Sequence, residues 1–420
     1  MHPSAELIRQ IETPVAIPSR ILFFAEAVTL AHVARPIVLA SALDADRFEV
    51  VLACNTRYQR FLECMPWQTL PLHSIDGQRF LRALERGSPV YDVQTLRGYV
   101  REDTELIEQV NPDVVVGDFR LSLSVSARLA KVPYVTITNA YWSPYYTRRC
   151  FPLPVLPMTK VLPIPVAAAL FRLAQPLAFS FHSMPLNRVR REYGLPSLGS
   201  DLTHIYTDAD YVLYADVQEL FPTANLPANH KYLGPILWSP LMAKPEWWDN
   251  LPTHKPIIYV TFGSSGQARL LPLVLQALAD LPVTVIGATI GAPLAQPAPT
   301  NAYVADYLPG VEAAKRSSLV ICNGGSLTCQ QALAAGVPVL GIANNMDQFM
   351  NMAAVVGAGA GIMMRADRAR AGTIQAAVTR IMSNADFKAS AQEMAITFAR
   401  YDAQQRFAEL IANLVGEKAS

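Results

Sequence analysis

The chain has 420 residues, enough for about two ordinary domains, and its 51% hydrophobic against 16% charged residues favours large buried cores over extended disorder. A net charge of +1 gives no electrostatic reason for nucleic acid or an anionic membrane as main partner. Five cysteines in no CxxC or Cys/His metal spacing argue against a disulfide scaffold and for reduced thiols in a cytosolic protein.

Along the chain, "MHPSAELIRQIETP" carries acidic residues and no apolar core, so no signal peptide is expected there. "RILFFAEA" reads as a strand, "HVARPIVLASALDA" as a helix, "FEVVLAC" as a strand, followed by a helical run from Tyr58. "DVVVGD", "LSLSVSARLAKV" and "YVTIT" continue the alternation. Runs of Val, Ile and Leu without polar alternation indicate strands buried on both faces. Helices between them imply right-handed crossovers and a parallel sheet.

The apolar stretch "FPLPVLPMTKVLPIPVAAALFRLAQPLAFSF" is interrupted by Lys160, Arg172 and several prolines before the roughly 20 apolar residues a spanning helix needs. It is expected not to cross a membrane, while peripheral membrane contact, or a cover over a greasy ligand, stays open. "HSMPLNRVRREYGLP" is basic on one face and reads as a solvated helix surface. The Pro- and Trp-rich "LGPILWSPLMAKPEWWDNLPTHKP" lacks periodicity and reads as a linker.

The second half repeats the pattern with "PIIYVTFG", a helix over Arg269 to Asp280, "VTVIGAT", "AYVADY", "SLVICN", "LTCQQALAAG" and "VPVLGIA". The expected fold is α/β: two Rossmann-like doubly wound parallel-sheet domains facing each other across a cleft. The expected divisions are residues 1–235, a linker over 236–256, a second domain over 257–395, and a C-terminal helix over 396–420 that packs back on the first domain. Asp44-Ala-Asp46 and Asp208-Ala-Asp210 look like a metal-binding DxD pair, but both stand just before strands and read as turns.

Chemistry concentrates at five places. In "RSSLVICNGGSLTCQQALAAGVPVLG" a strand enters a helix through Gly324 and Gly325, leaving amides unpaired along the helix dipole, with Ser326 and Thr328 as hydroxyl donors. A tight turn that binds nothing is the plain alternative. "VTFGSSG" makes a second Gly/Ser turn at the same sheet end, and "NNMDQFMN" puts Asp347 and Gln348 after the next strand. Together these suit a sugar diphosphate, phosphates on amides and sugar hydroxyls on Asp and Gln. In the first half, His32 opens a helix after the first strand and Asp118 ends a later strand. Parallel strands bring such ends to one rim, where a carboxylate fixes the imidazole tautomer and stabilises the imidazolium. Lastly, Tyr141, Trp142, Tyr145 and Tyr146 cluster after a strand, either as core or as a pocket for a flat or greasy acceptor.

The second half resembles the donor half of the GT-B glycosyltransferases that use nucleotide sugars, the UDP-glycosyltransferase group with its macrolide- and antibiotic-tailoring relatives. The match is carried by the order of "GSSG", "DYLP", "NGGSLTCQQALAAGVP" and "DQ". The likeness implies that Ser264, Ser265 and Gly266 approach phosphate and that Thr328 meets the β-phosphate. It places Tyr307 where a base-stacking tryptophan is usual, and Asp347 and Gln348 on the sugar. Asn323 replaces the family histidine and can donate but carries no charge. Leu327 replaces a small or polar residue, and Gln331 stands where a glutamate commonly accepts from the ribose.

His32 and Asp118 match the family's catalytic dyad, with Ala31 where Gly is usual. The resemblance therefore implies an inverting transferase that uses no metal or other cofactor. It would move a sugar from a UDP or dTDP donor to a hydroxyl of a hydrophobic, natural-product-like small molecule. A lipid or isoprenoid acceptor at the membrane face is one alternative. A non-catalytic nucleotide-binding or helper protein, motivated by Asn323, Leu327 and Gln331, is the other.

Overall fold

The computed structural model describes residues 18–149, 151–252, 254–264, 267, 269–291, 294 and 296–419, the last three in backbone only. The first half holds strands β1 (Ser19–Ala25), β2 (Phe48–Cys54), β3 (Gln68–Pro71), β4 (Val114–Asp118), β5 (Tyr134–Thr138), β6 (Tyr211–Tyr214) and β7 (His230–Tyr232). They form one parallel sheet in the order β3-β2-β1-β4-β5-β6-β7. Its helices are α1 (Ala31–Ala40), α2 (Gly77–Arg86), α3 (Val93–Val110), α4 (Leu123–Ala130), α5 (Ile164–Glu192) and α6 (Leu202–Tyr206).

The second half holds β8 (Ile257–Thr261), β9 (Thr284–Ala288), β10 (Ala302–Ala305), β11 (Leu319–Cys322), β12 (Val339–Ala343) and β13 (Gly361–Arg365), in the order β10-β9-β8-β11-β12-β13. Its helices are α7 (Leu270–Leu278), α8 (Gly310–Lys315), α9 (Ser326–Ala334), α10 (Met346–Gly357), α11 (Ala371–Ser383) and α12 (Ala385–Phe398), and α13 (Ala403–Ala419) closes the chain.

Both sheets reverse strand order once, at β1/β4 and at β8/β11. The register pairs Ala25 with Asp118 and Thr261 with Cys322, so in each sheet the two strands at the reversal end level with one another. A crevice opens at such a switch point, because the crossovers leave in opposite directions. The loops after β1, β4, β8 and β11 therefore set where ligands are held. Beneath them the cores are dry: Ile21 to Ala25, Val114, Val115, Val320 and Ile321 are fully buried or nearly so.

α13 crosses back to the first sheet. Its Phe407, Leu410, Ile411 and Leu414 bury against Ile21, Phe23, Ile37 and Val114. Each such side chain contributes about 1.5–3 kcal/mol. The segment between the halves is irregular, yet it is not a passive tether. Trp248 is buried in the second domain's core, where the Arg316 guanidinium lies 5.0 Å above its ring and donates to its carbonyl at 2.7 Å.

The Pro-rich segment departs from expectation. Pro176 and Pro185 sit inside one continuous 29-residue helix, α5, long and apolar enough by length and composition to cross a membrane. An interior proline costs a helix about 3 kcal/mol. Burial of Phe179, Leu186 and Val189 against Leu96, Tyr99 and Val125 is large enough to offset it. The two Asp-Ala-Asp pairs are structural: the Asp46 amide donates to Asp44, the Tyr134 amide to Asp210, and Asp208 pairs with Arg128 and Arg190.

Candidate functional site

Leu30 ends the turn after β1, and α1 begins one residue before His32. His32 Nδ1 lies 2.7 Å from Asp118 Oδ1, at the end of β4. Asp118 is fully buried, while the His32 side chain is 18% exposed and lines the cleft. The contact assigns the Nδ1 proton to the bond with Asp118, which leaves the Nε2 lone pair as the basic site.

A third residue completes the group. Arg35, one helical turn after His32, donates Nε to Asp118 Oδ2 at 2.7 Å and Nη2 to Oδ1 at 2.7 Å, and Nη2 also sits 2.9 Å from His32 Nδ1. Burial works against the Arg35 charge, but the Asp118 carboxylate outweighs it and pushes the guanidinium above its ordinary value. Phe119, next to Asp118, takes φ +59 and lays its ring on His32, with centroids 4.8 Å apart and planes 12° from parallel. A bulky residue at positive φ is strained, and here the strain places an aromatic lid on the imidazole.

The network then crosses to the second domain. Arg35 Nη1 donates to Asn139 Oδ1 at 3.0 Å, and the Asn139 amide donates to both Asp216 oxygens. Gln330, on α9, donates to Asp216 at 3.1 Å and to the Ala215 carbonyl at 2.6 Å. Burial raises the Asp216 carboxyl to about 6, against the Ala140 amide, Asn139 and Arg35, which act to lower it. A second contact joins the halves nearby, where the Leu30 amide donates to Ser264 Oγ at 2.8 Å.

On the donor side, Gly324 has φ +80, and a Cβ there would meet Met352 Cγ at 2.6 Å, so only glycine fits. The Gly324 carbonyl accepts from Asn351 at 2.8 Å, while Asn323 Oδ1 takes the Gly325 amide at 3.1 Å. Gly325 starts α9 with no side-chain cap. The first-turn amides of Ser326, Leu327 and Thr328 have no carbonyl one turn back, and all three residues line the cleft. Unpaired amides at the positive end of a helix dipole are suited to an anion. The same cavity, of about 530 Å³, is lined by His32, Asp118, Trp142, Tyr307, Asn323, Gln331 and Asp347.

Residues 273–414 match the family model described as erythromycin biosynthesis protein CIII-like, C-terminal domain. A PGL/p-HBAD biosynthesis glycosyltransferase of Mycobacterium tuberculosis is 54% identical over 385 residues, covering 92% of this chain and 90% of its own. The chain belongs to this glycosyltransferase family. A PGL/p-HBAD biosynthesis rhamnosyltransferase of Mycobacterium bovis is 52% identical over 394 residues, 92% of this chain and 87% of its own. The solved structure of a spinosyn rhamnosyltransferase complexed with thymidine diphosphate superposes with a TM-score of 0.65 at 19% identity, over 92% of this chain and 98% of that one. The GT-B fold and glycosyltransferase membership expected from the sequence are thus established.

Within this glycosyltransferase the expected site residues fare unevenly. Tyr141 and Trp142 both point at Asp347, donating to its Oδ1 from Oη at 3.0 Å and from Nε1 at 2.9 Å. Tyr141 is buried and is not part of the cleft lining; burial first, then the Asp347 charge, push its phenol well above the ordinary range. Tyr145 and Tyr146 are corrections. Tyr145 packs edge-on against His230 and Tyr146 against Phe221 in the core, away from the cleft.

Gln348 is held by backbone. Its Oε1 accepts from the Asn344 and Asn345 amides, Asn345 accepts from the Gln348 amide, and the side chain is buried. A Gln three residues after an N-cap Asn closes a capping box, which commits its Oε1. Gln331 lines the cleft with its amide nitrogen tied to the Trp238 carbonyl at 2.7 Å. Tyr307 is covered by Arg60, 4.2 Å above its ring, and by the edge of Phe61. Ser265 and Gly266 lie outside the described residues.

Proposed function

We propose that this glycosyltransferase moves a deoxyhexose or hexose from a dTDP or UDP donor to a phenolic hydroxyl on a hydrophobic acceptor, with inversion. His32 Nε2 takes the proton of the acceptor hydroxyl as its oxygen bonds the anomeric carbon from the face opposite the diphosphate. The bond from that carbon to the diphosphate oxygen breaks, and the nucleoside diphosphate leaves with the electron pair. Asp118 stabilises the imidazolium. The α9 amides and Thr328 take the developing phosphate charge, so no metal is assigned a role.

The observation that carries this reading is the pairing of His32 with a buried Asp118 in the same cavity as the uncapped start of α9. The relatives' names, PGL/p-HBAD biosynthesis glycosyltransferase and rhamnosyltransferase, support a phenolic glycolipid type of acceptor and rhamnose as the first sugar to try. The thymidine diphosphate bound by the spinosyn enzyme supports dTDP as the first nucleotide. The test is transfer from dTDP-rhamnose to a small phenol by wild type and His32→Ala, with the product anomer read by NMR. The variant is expected to lose at least 100-fold in kcat, the usual worth of a general base, while still gaining thermal stability from dTDP. Unchanged transfer by the variant would refute the mechanism.

A further inference from the structure

Helix α5 has two apolar faces. The inner one is packed through Ala167, Phe179, Leu186 and Val189, and beside it Phe171, Ala174 and Ala178 line the cleft. The outer one is turned away from the protein. Val166, Leu170, Leu173, Leu177, Phe181 and Met184 recur at steps of three and four residues, which places them on a single stripe. All six are exposed, Leu173 to 79% and Leu177 to 77%. The stripe runs for about 27 Å along the helix. Val161, 83% exposed just before α5, lies next to its N-terminal end in the chain. So many large apolar side chains in one outward row mark an interaction surface.

The charge around this row is one-sided. The same stripe continues C-terminally into Arg188 and Arg191, both exposed. Arg86 ends α2 beside it, next to Gly87, whose carbonyl lies 3.2 Å from His182 on α5. No Asp or Glu occurs between Asp118 and Glu192, a local bias that the net charge of +1 conceals. Glu192 itself is engaged by Arg97 through two bonds of 2.6 and 2.7 Å, and Arg188 lies 3.5 Å from it in a looser exposed pair.

We propose that the outer face of α5 docks on an anionic phospholipid bilayer, the helix lying in the headgroup plane with its leucines in the acyl boundary and its arginines on lipid phosphates. An apolar row with flanking arginines and few acids is the pattern of an interfacial helix. The inner face is committed to Leu96, Tyr99 and Val125, so the helix stays on the protein and does not thread the membrane. A second copy of the chain fits less well, because a twofold contact would bring two arginine-bearing rows together, and the nearby carboxylate, Glu192, is already bound by Arg97 and Arg188. Leu170 belongs to both the outer row and the cleft lining, so a lipid-borne acceptor passes from the bilayer to His32 around that edge. This last clause rests on the hydrophobic phenolic acceptor proposed above.

The test is flotation of the full chain with phosphatidylcholine vesicles, with and without phosphatidylglycerol. Wild type is expected to float with the anionic vesicles. Leu173→Glu/Leu177→Glu should lower the bound fraction at least tenfold and leave transfer to a water-soluble phenol at the wild-type rate. Arg188→Gln/Arg191→Gln should weaken binding to anionic vesicles about fivefold per charge and leave neutral vesicles unaffected. No flotation at low salt, or flotation unchanged by the double glutamate, would overturn the proposal. A dimer that the double glutamate turns into a monomer, without vesicle binding, would reassign the face to a second copy. Vesicle binding without transfer to any phenol would support docking and remove the acceptor reading; transfer to a soluble phenol without vesicle binding would do the reverse.

Discussion

Arg35 is the residue whose removal separates structure from chemistry most sharply. Its guanidinium is buried and donates two bonds of 2.7 Å to Asp118 and one of 3.0 Å to Asn139. Arg35→Met leaves the fully buried Asp118 carboxylate with only the His32 imidazole as side-chain partner. Breaking one side of a buried ion pair costs about 3–5 kcal/mol. At about 2–4 °C per kcal/mol for a domain of this size, the midpoint should fall by roughly 6–20 °C. Turnover should fall as well, because the guanidinium fixes both oxygens of the carboxylate that holds His32 Nδ1. Displacing a reacting group by about 1 Å can cost on the order of 100-fold, so Arg35→Met should lose roughly tenfold to 100-fold in kcat with little change in KM. Arg35→Lys keeps the charge but not the fork and should recover part of the stability. Should Arg35→Met not fold, Arg35→Gln is neutral and still donates to Asp118. Wild-type kcat in a folded neutral variant would refute the positioning role and leave Arg35 as packing alone.

Gly324→Ala forces a Cβ onto a φ +80 residue 2.6 Å from Met352 Cγ; it should cost about 1–3 kcal/mol and at least tenfold in donor affinity, read by the nucleotide-induced thermal shift. Trp142→Phe removes one of the two donors on Asp347 Oδ1 and should lower kcat/KM by roughly tenfold or more, with altered preference between sugars in a donor panel. Asp216 gives a pH signature. Its folded value, about 6, exceeds the ordinary 3.8, so between about pH 4 and 6 the folded state holds a proton that the unfolded state has released. That contribution lowers stability as pH rises through the window, by up to about 3 kcal/mol. Compared with Asp216→Asn, which has no such proton, the wild type should lose ground from pH 4 to pH 6.5 in urea melts. Parallel pH profiles of the two proteins would contradict this account.

What could be read in the sequence was whatever depends on neighbours along the chain. The runs from Ile21 and Val114 announce buried strands, Gly324-Gly325 announces a turn, and His32, in the helix after β1, meets Asp118 at the end of β4 because parallel strands end on one rim. Gln348 carries two signals at once: Asn345-Met-Asp-Gln348 is a capping box as well as a family motif, and the backbone amides hold its Oε1. Arg35 stands one helical turn after His32 and so shares its face, a clue that spacing alone supplies. Phe119 offered none, since nothing in a phenylalanine announces a left-handed backbone. Asn139, Asp216 and Gln330 come from three distant segments, and only packing of the two halves gives them one another. The prolines of α5 misled for a related reason, because their cost is local and the burial that offsets it is tertiary.

The return of α13 has a consequence for the order in which the molecule is made. The apolar layer over β1 and β4 is finished by Phe407, Ile411 and Leu414, which are made after the whole second domain. At about 5–20 residues per second, translating the second half takes roughly 10–35 s. Throughout that interval the nascent first half shows the side of Phe23 and Ile37 that α13 will cover. The second domain, whose strands and helices follow one another without a distant partner, is free to close first. Consolidation of the first domain thus waits for a helix made after the second, and a ribosome stalled short of residue 403 would present a half-covered sheet to chaperones and proteases.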